Sequence, residues 1–160
     1  MDDFKKAFAY VLRLLARRDR SIREMERKLR DRSYPAGVCG EVIDCLTKSG
    51  YLDDRRFAER WAESAVRNGR GYGQRLRLEL LRKGIDREIV TEVVAGVTAA
   101  YDELETLSGL VSGKFAGFDP ETASDREKRR VVAYLQRRGF SMAAIFNLLN
   151  DRDGFRSVSE

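Results

Sequence analysis

One pattern of apolar residues occurs three times along this chain of 160 residues, and the three copies align without gaps. The copies consist of Met25, Leu29 and Tyr34, then of Leu76, Leu80 and Ile85, and finally of Val131, Leu135 and Phe140. They follow one another at intervals of roughly 50 residues, a period that is typical of repeat architectures. In such proteins each unit buries part of its apolar face against its neighbour, so one closed core is not required.

Three helical segments are predicted in each unit, because apolar residues recur at helical spacing and no alternating strand pattern of useful length occurs. Ser21 and Ser124 are each followed three residues later by Glu, which is the form of a capping box. Asp53 and Asp54 suit the positive end of another helix. The sequence therefore predicts an all-α protein, an elongated tandem array of three three-helix repeats. The predicted units are residues 1–50, 51–99 and 100–153, followed by a tail at 154–160.

A basic residue and then a small residue precede the last apolar residue of each copy. The three pairs are Arg32-Ser33, Lys83-Gly84 and Arg138-Gly139. Glycine favours the left-handed conformation in which many helices end, since it has no Cβ to clash there. We therefore expect the second helix of each unit to end at this position.

Histidine is absent from the sequence, which has 31 Lys and Arg residues against 26 Asp and Glu. The chain therefore has no Ser-His-Asp or Cys-His triad and none of the His ligands of most catalytic zinc sites. Zinc-ligand spacing, a P-loop and a glycine-rich dinucleotide fingerprint are also missing from the sequence. Helix capping explains the paired carboxylates, so we expect no catalytic activity, no cofactor and no metal.

The net charge of +5 hides three basic segments. There are nine basic and four acidic residues at 13–32, seven and two at 67–87, and six and one at 126–138. Each segment contains the second helix of a unit. A solvated face would explain any one of them, but three in register favour a periodic polyanion as partner, either nucleic-acid backbone or an acidic protein assembly.

Cysteine usage and the N-terminus predict a cytoplasmic protein without a membrane segment. If Cys39 and Cys45 share a helix, their Cα atoms are about 9 Å apart, too far for a disulfide. Asp2 and Asp3 stand where a signal peptide would carry basic residues. Charged residues interrupt every apolar run too early for a membrane-spanning helix.

Several motifs resemble the RecX family of regulatory proteins. The string Gly50-Tyr51-Leu52-Asp53-Asp54-Arg55-Arg56-Phe57-Ala58, with Gly71-Tyr72-Gly73 and Lys83-Gly84-Ile85 after it, is similar to the central region of that family. Arg17-Arg18-Asp19-Arg20-Ser21 resembles its first repeat, and Arg138-Gly139-Phe140 resembles its third. The resemblance covers residues 9–150.

The resemblance implies a non-enzymatic modulator that lies in the helical groove of the RecA nucleoprotein filament. It implies inhibition of the ATPase, strand-exchange and coprotease activities of RecA, and so regulation of DNA repair, recombination and the SOS response. Single-stranded and double-stranded DNA are further expected partners, bound weakly and without sequence specificity, and the protein is expected to be a monomer.

Contact with RecA or DNA is predicted from charge and expected exposure, since the family motif does not establish it. The predicted contact residues are Arg67, Arg70, Tyr72, Arg75, Arg77, Arg82, Arg129, Arg130 and Arg137. Tyr72 is the candidate for base stacking, whereas Phe57 and Trp61 lie at core spacing. An alternative function stays open, because each three-helix unit also has the form of a helix-turn-helix that could read double-stranded DNA.

Overall fold

The structure is a computed structural model, and it describes residues 2–150. Within this range it contains helices and no strand. The helices are α1 (Asp3–Leu15), α2 (Ile22–Asp31), α3 (Ala36–Lys48), α4 (Asp54–Arg67), α5 (Gln74–Arg82), α6 (Arg87–Ala100), α7 (Glu103–Lys114), α8 (Asp125–Arg137) and α9 (Met142–Asn150). The predicted all-α class and the three successive sets of three helices are confirmed. The predicted tail at 154–160 lies outside the described residues, and none of the helices described is long and apolar enough to span a membrane.

Side-chain caps begin two of the second helices. At α8 the N–H of Glu127 donates to Ser124 Oγ (3.2 Å) and the Glu127 carboxylate accepts from the N–H of Ser124 (2.8 Å), which confirms the predicted capping box. At α2 the prediction is only half right. The N–H of Glu24 donates to Ser21 Oγ (3.2 Å), but the Glu24 carboxylate binds two neighbouring arginines instead of returning to the cap.

The carboxylates of Asp53 and Asp54 cap two different helices. Asp53 accepts from the N–H of Arg56 (3.0 Å) in the first turn of α4, as the sequence predicts. Asp54 instead accepts from the N–H of Ile22 (2.9 Å) at the start of α2. Partial burial, and then the negative charges of Asp53 and Glu26, raise the pKa of Asp54 against the opposing effect of that hydrogen bond.

The described residues divide into two compact units. The first contains the chain up to Trp61 together with Glu79–Val90, and the second contains Ala62–Leu78 together with the chain from Thr91 onward. Helices α4, α5 and α6 therefore contribute residues to both units. The predicted repeat boundaries at 50 and 99 do not coincide with the limits of these two units. They stay predictions.

The first unit is built on α1, α2 and α3, which pack against one another. Fully buried side chains such as Val11, Met25, Leu29 and Leu46 form its core. Each buried side chain of this size contributes about 1.5–3 kcal/mol relative to exposure. Amphipathic spacing in the three helices thus produces one shared apolar interior.

The second unit contains α7, α8 and α9, with α9 packed against the other two. Its buried side chains include Leu107, Val111 and Ile145. All the repeated apolar residues named from the sequence are buried in one unit or the other, except Tyr34, which is only half-buried. The pattern from which the repeat was recognised is therefore the pattern of the cores.

Candidate interaction surface

In the first unit the start of α2 is joined to the end of α5 by a hydrogen bond. The hydroxyl of Ser21, only 1% exposed, donates to the carbonyl of Lys83 (2.8 Å). Gly84 follows with φ +81°, and a Cβ there would lie 2.7 Å from the Cβ of Arg23. Glycine at this position therefore permits the left-handed turn and also lets the Arg23 side chain cross the end of α5.

The second unit contains the equivalent contact between the start of α5 and the end of α8. The N–H of Tyr72 donates to the carbonyl of Arg138 (2.8 Å), and Arg138 occupies the same place in the repeat as Lys83. Gly139 follows with φ +93°, and a Cβ there would lie 2.8 Å from the backbone nitrogen of Arg75. The sequence predicts the left-handed turn at these glycines, but the close approach depends on the tertiary structure.

Ser33 is the corresponding residue of the first repeat. Its φ is +59°, and it is the single non-glycine residue with positive φ in the range 2–150. Both Arg32 and Ser33 are exposed, whereas Lys83-Gly84 and Arg138-Gly139 are half-buried. A side chain therefore fits after the end of α2, whereas there is no space for one after the ends of α5 and α8.

Tyr72 is 4% exposed, so the expectation that it is free to stack on a base is wrong. Its hydroxyl donates to the carbonyl of Tyr101 (2.7 Å), and its ring stacks on Phe140 with 5.2 Å between the centroids. Burial, and then the negative charges of Glu103 and Asp102, raise the pKa of Tyr72. The glycines on either side of Tyr72 suggest an accessible loop. Its ring is instead buried where the start of α5 meets the end of α8.

Arg67 ends α4 and is exposed, but protein partners already hold its guanidinium. Nη2 pairs with Glu63 (2.7 Å), and Nε donates to the hydroxyl of Tyr101 (3.1 Å). The hydrogen bond with Tyr101, and then the charge of Glu63, raise the pKa of Arg67. This arginine is therefore available to a partner only in part.

Arg70 and Arg77 have neutral partners. Arg70 Nη2 donates to Ser64 Oγ (2.8 Å), and Arg77 Nη1 donates to Thr91 Oγ1 (3.1 Å). A hydroxyl carries no charge, so these bonds do not pair either guanidinium with a carboxylate. Arg77 is half-buried, so Arg70 is the more accessible of the two.

The remaining predicted contact residues are all exposed: Arg75, Arg82, Arg129, Arg130 and Arg137. Arg82 pairs with Glu79 (3.3 Å), and Arg130 lies 5.7 Å above the ring of Phe115. The side chains of Arg129 and Arg137 form no hydrogen bond or ion pair with any other residue that the structure describes. These two arginines of α8 are therefore the most available of the predicted set.

A cleft of about 540 Å³ in the first unit adds residues that the predicted set lacks. It is lined by Glu24, Glu79, Ser21 and six basic side chains: Arg18, Arg23, Arg27, Arg30, Arg82 and Lys83. The sequence signal for it is the basic surplus at 13–32. Only the packing of α2 beside the end of α5 shows which of those residues face a common space.

Two further cavities lie in the second unit. One of about 550 Å³ is lined by residues that include Tyr72, Phe140 and Met142, and one of about 300 Å³ by residues that include Phe115 and Arg130. No group of three or more metal-ligating side chains is found in the described part of the chain.

The fold and its arginines define a class: all-α proteins of tandem three-helix repeats whose second helices are basic. Models of the RecX family match each repeat, the first three-helix domain at residues 7–46, the second at 53–94 and the third at 101–149. The chain belongs to the RecX family.

Named relatives agree with this assignment. Regulatory protein RecX of Trichlorobacter lovleyi is 40% identical over 130 residues, which cover 81% of this chain and 84% of that protein. Regulatory protein RecX of Mycolicibacterium vanbaalenii is 35% identical over 150 residues, covering 91% and 81%. The crystal structure of RecX from Lactobacillus salivarius has a TM-score of 0.72 at 22% identity and covers 92% of this chain and 95% of that one, which supports the fold.

Proposed function

We propose that this chain is a non-enzymatic regulator that binds in the groove of the RecA nucleoprotein filament. Bound there, it restrains RecA ATP hydrolysis, strand exchange and coprotease activity, and so regulates DNA repair, recombination and the SOS response in the cytoplasm. The observation that supports this most is that a member of the RecX family carries exposed arginines on the second helix of every repeat.

The proposed contacts act as a set. One solvent-exposed ion pair contributes only about 0–1 kcal/mol, so a single arginine would not hold the protein on a filament. Three linked repeats turn the later contacts into intramolecular ones, which raises the overall affinity without new kinds of contact. The residues proposed for this role are Arg67, Arg70, Arg75, Arg77, Arg82, Arg129, Arg130 and Arg137.

The proposed partners are the acidic surface of RecA and the phosphates of filament DNA. Contacts with phosphates carry no sequence information, so the DNA contribution is weak and independent of sequence. The protein acts as a monomer whose repeats bridge successive RecA protomers, and this either holds the filament in a less active state or blocks its growth.

The test is RecA ATPase on single-stranded DNA during titration with the full chain. The doubly reversed variant Arg129→Glu/Arg137→Glu is compared with Lys5→Glu/Lys6→Glu, which makes the same charge change on exposed residues of α1. The natural chain lowers the ATPase rate. Reversing the two arginines weakens inhibition on the order of tenfold, which corresponds to about 1.4 kcal/mol, and the α1 variant stays within about twofold.

Equal inhibition by both variants would exclude the arginines of α8 from the contact. No effect of the natural chain on RecA would contradict the proposed function itself. If, in addition, one duplex sequence bound orders of magnitude more tightly than others at fixed salt, the helix-turn-helix alternative would take its place.

A further inference from the structure

The cleft in the first unit concentrates positive charge that the protein itself does not neutralise. Its two carboxylates are already engaged. Glu24 is within 2.6 Å of both Arg18 and Arg20, and Glu79 pairs with Arg82 (3.3 Å). Burial alone would raise the pKa of Glu24, but the hydrogen bonds and charges of Arg18 and Arg20 outweigh it and lower that pKa, so the ion pairs persist at neutral pH.

Three arginines of α2 remain free of such partners. The side chains of Arg23, Arg27 and Arg30 make no hydrogen bond or ion pair with another residue in the described range. Their spacing of four and then three residues places them on one face of α2, over about 10 Å of its axis. The aliphatic part of Arg23 lies against Gly84, so the first of the three is held beside the end of α5.

Lys83 brings a fourth cation to the same space from α5. Its Nζ lies 5.4 Å from the centre of the Trp61 ring, a cation–π contact within the first unit. Trp61 is the one tryptophan of the sequence, so its emission reports on the position of the Lys83 ammonium. An anion that enters the cleft and attracts Lys83 would change that emission.

The residues that line the cleft favour a phosphate group as the ligand, and specifically the phosphates of a nucleic-acid backbone. Guanidinium groups bind phosphate oxygens through paired hydrogen bonds, which makes arginine the favoured residue for phosphate recognition. No aromatic side chain lines the cleft, so its lining favours the charged backbone of a nucleic acid over its bases. A volume of about 540 Å³ lies in the range of ligand-binding clefts and suits a short piece of one flexible strand.

We propose that this cleft binds the sugar-phosphate backbone of single-stranded nucleic acid, with Arg23, Arg27 and Arg30 as the phosphate contacts. The inference deepens the proposed function and rests on it, because it assigns the nucleic-acid part of the contact to the first repeat. The exposed arginines of α8 are left to the protein part.

The test measures binding of a short fluorescent oligothymidylate to the full chain at several salt concentrations. The variant Arg27→Gln/Arg30→Gln is compared with Arg13→Gln/Arg17→Gln, which removes two exposed arginines that do not line the cleft. For two lost phosphate contacts the log–log salt slope becomes shallower by about 1.4, and affinity falls roughly tenfold at low salt. The control variant changes affinity less than about threefold.

Trp61 emission supplies an independent readout. Titration with the oligonucleotide changes it in the natural chain and in the control, and the cleft variant needs roughly tenfold more oligonucleotide for the same change. A blunt duplex of the same length and a polyglutamate of equal charge leave it unchanged. If the doubly substituted chain does not fold by circular dichroism, the single variants Arg27→Gln and Arg30→Gln replace it, each lowering the slope by about 0.7.

Equal oligonucleotide affinity and salt slope in the cleft and control variants would overturn the proposal. A change of Trp61 emission on addition of polyglutamate, absent in the cleft variant, would also overturn it. The ligand would then be an acidic protein. If the cleft variant binds the oligonucleotide like the control while the natural chain still inhibits RecA, only the assignment of the cleft is contradicted. Oligonucleotide binding without any effect on RecA contradicts the proposed function instead.

Discussion

The two junctions between successive second helices share an accepting carbonyl and the glycine after it, but the hydrogen-bond donor differs. In the first unit the hydroxyl of Ser21 meets the carbonyl of Lys83, and in the second the N–H of Tyr72 meets the carbonyl of Arg138. A glycine at positive φ follows the accepting carbonyl in both. Beside the first junction lies a cleft of charged residues, whereas at the second the stacked rings of Tyr72 and Phe140 line a cavity of about 550 Å³.

The difference shows how a repeat protein divides its tasks. The carbonyl and the glycine are determined by how repeats dock, and they recur. The residue before the earlier of the two helices differs between the junctions. A small serine leaves the space beside it to arginines, and a tyrosine occupies that space. The same scaffold therefore carries a cleft lined mainly by basic side chains at one junction and a cavity lined by aromatic rings at the other.

The largest expected effect is loss of the glycine that both junctions require. Gly139→Ala places a Cβ in left-handed conformation and against the backbone of Arg75, and we expect it to lower the free energy of unfolding by about 3 kcal/mol. Gly84→Ala meets the Arg23 side chain instead and costs about 2 kcal/mol.

The matched control for both glycines is Gly40→Ala, inside α3 with open space around it. Alanine is the better helix former there and raises stability by about 0.5–1 kcal/mol. Urea unfolding followed by circular dichroism measures all three. Equal effects of the three substitutions would contradict the close approach at the junctions.

Removing the junction hydroxyl has the next largest effect. Ser21→Ala loses the cap at Glu24 and leaves the Lys83 carbonyl without its donor, so unfolding becomes easier by about 2 kcal/mol. Ser124→Ala removes an exposed cap only and costs about 1 kcal/mol. Thermal unfolding compares the two, and an equal or larger loss for Ser124→Ala would show that the Ser21–Lys83 bond adds nothing.

Tyr72→Phe keeps the ring that fills the second junction and removes the bond to the Tyr101 carbonyl, at a cost of about 1 kcal/mol. It also changes the response to alkali. Since burial raises the pKa of Tyr72 above its ordinary value of 10.0, the folded state holds this proton more tightly than the unfolded state. Its stabilising effect is complete below pH 10 and is lost as the pH rises further.

Unfolding free energies measured from pH 8 to 11 check this linkage. The natural chain loses stability above pH 10 more steeply than Tyr72→Phe does. Tyr51→Phe, which alters an exposed tyrosine, follows the natural chain. Identical alkaline profiles for all three proteins would contradict the buried position of Tyr72.

The smallest expected effect concerns the end of α2, which no junction covers. Ser33→Gly relieves a left-handed residue and raises stability by about 0.5 kcal/mol. Differential scanning calorimetry would detect this as a slightly higher melting temperature. A loss of stability on this change would mean that the Ser33 side chain itself makes a stabilising contact.

Particular residues show how far the sequence predicts this protein. Helical spacing and the repeated apolar triplets predict the nine helices of residues 2–150 and their cores, because both patterns depend on local geometry and burial. Exposure of Arg129 and Arg137 follows from the same spacing. The burial of Tyr72 and the convergence of Arg27 with Lys83 could not be predicted, since each depends on which helix ends meet.

The same limit applies to the capping residues. Ser124 and Glu127 form the predicted box because both partners lie within one turn. Glu24 departs from the equivalent prediction because Arg18 and Arg20 lie within reach and bind its carboxylate more strongly than an uncharged N–H would. Whether a capping box forms thus depends on charged residues outside the four-residue motif.

The central claim is that this protein acts by occupying the RecA filament. Sedimentation of the full chain with preassembled RecA filaments on single-stranded DNA, alongside RecA alone and DNA alone, tests it most directly. We expect saturable co-sedimentation with the filament that exceeds binding to either component and weakens as salt rises. Binding to bare DNA that equals or exceeds binding to the filament would contradict it.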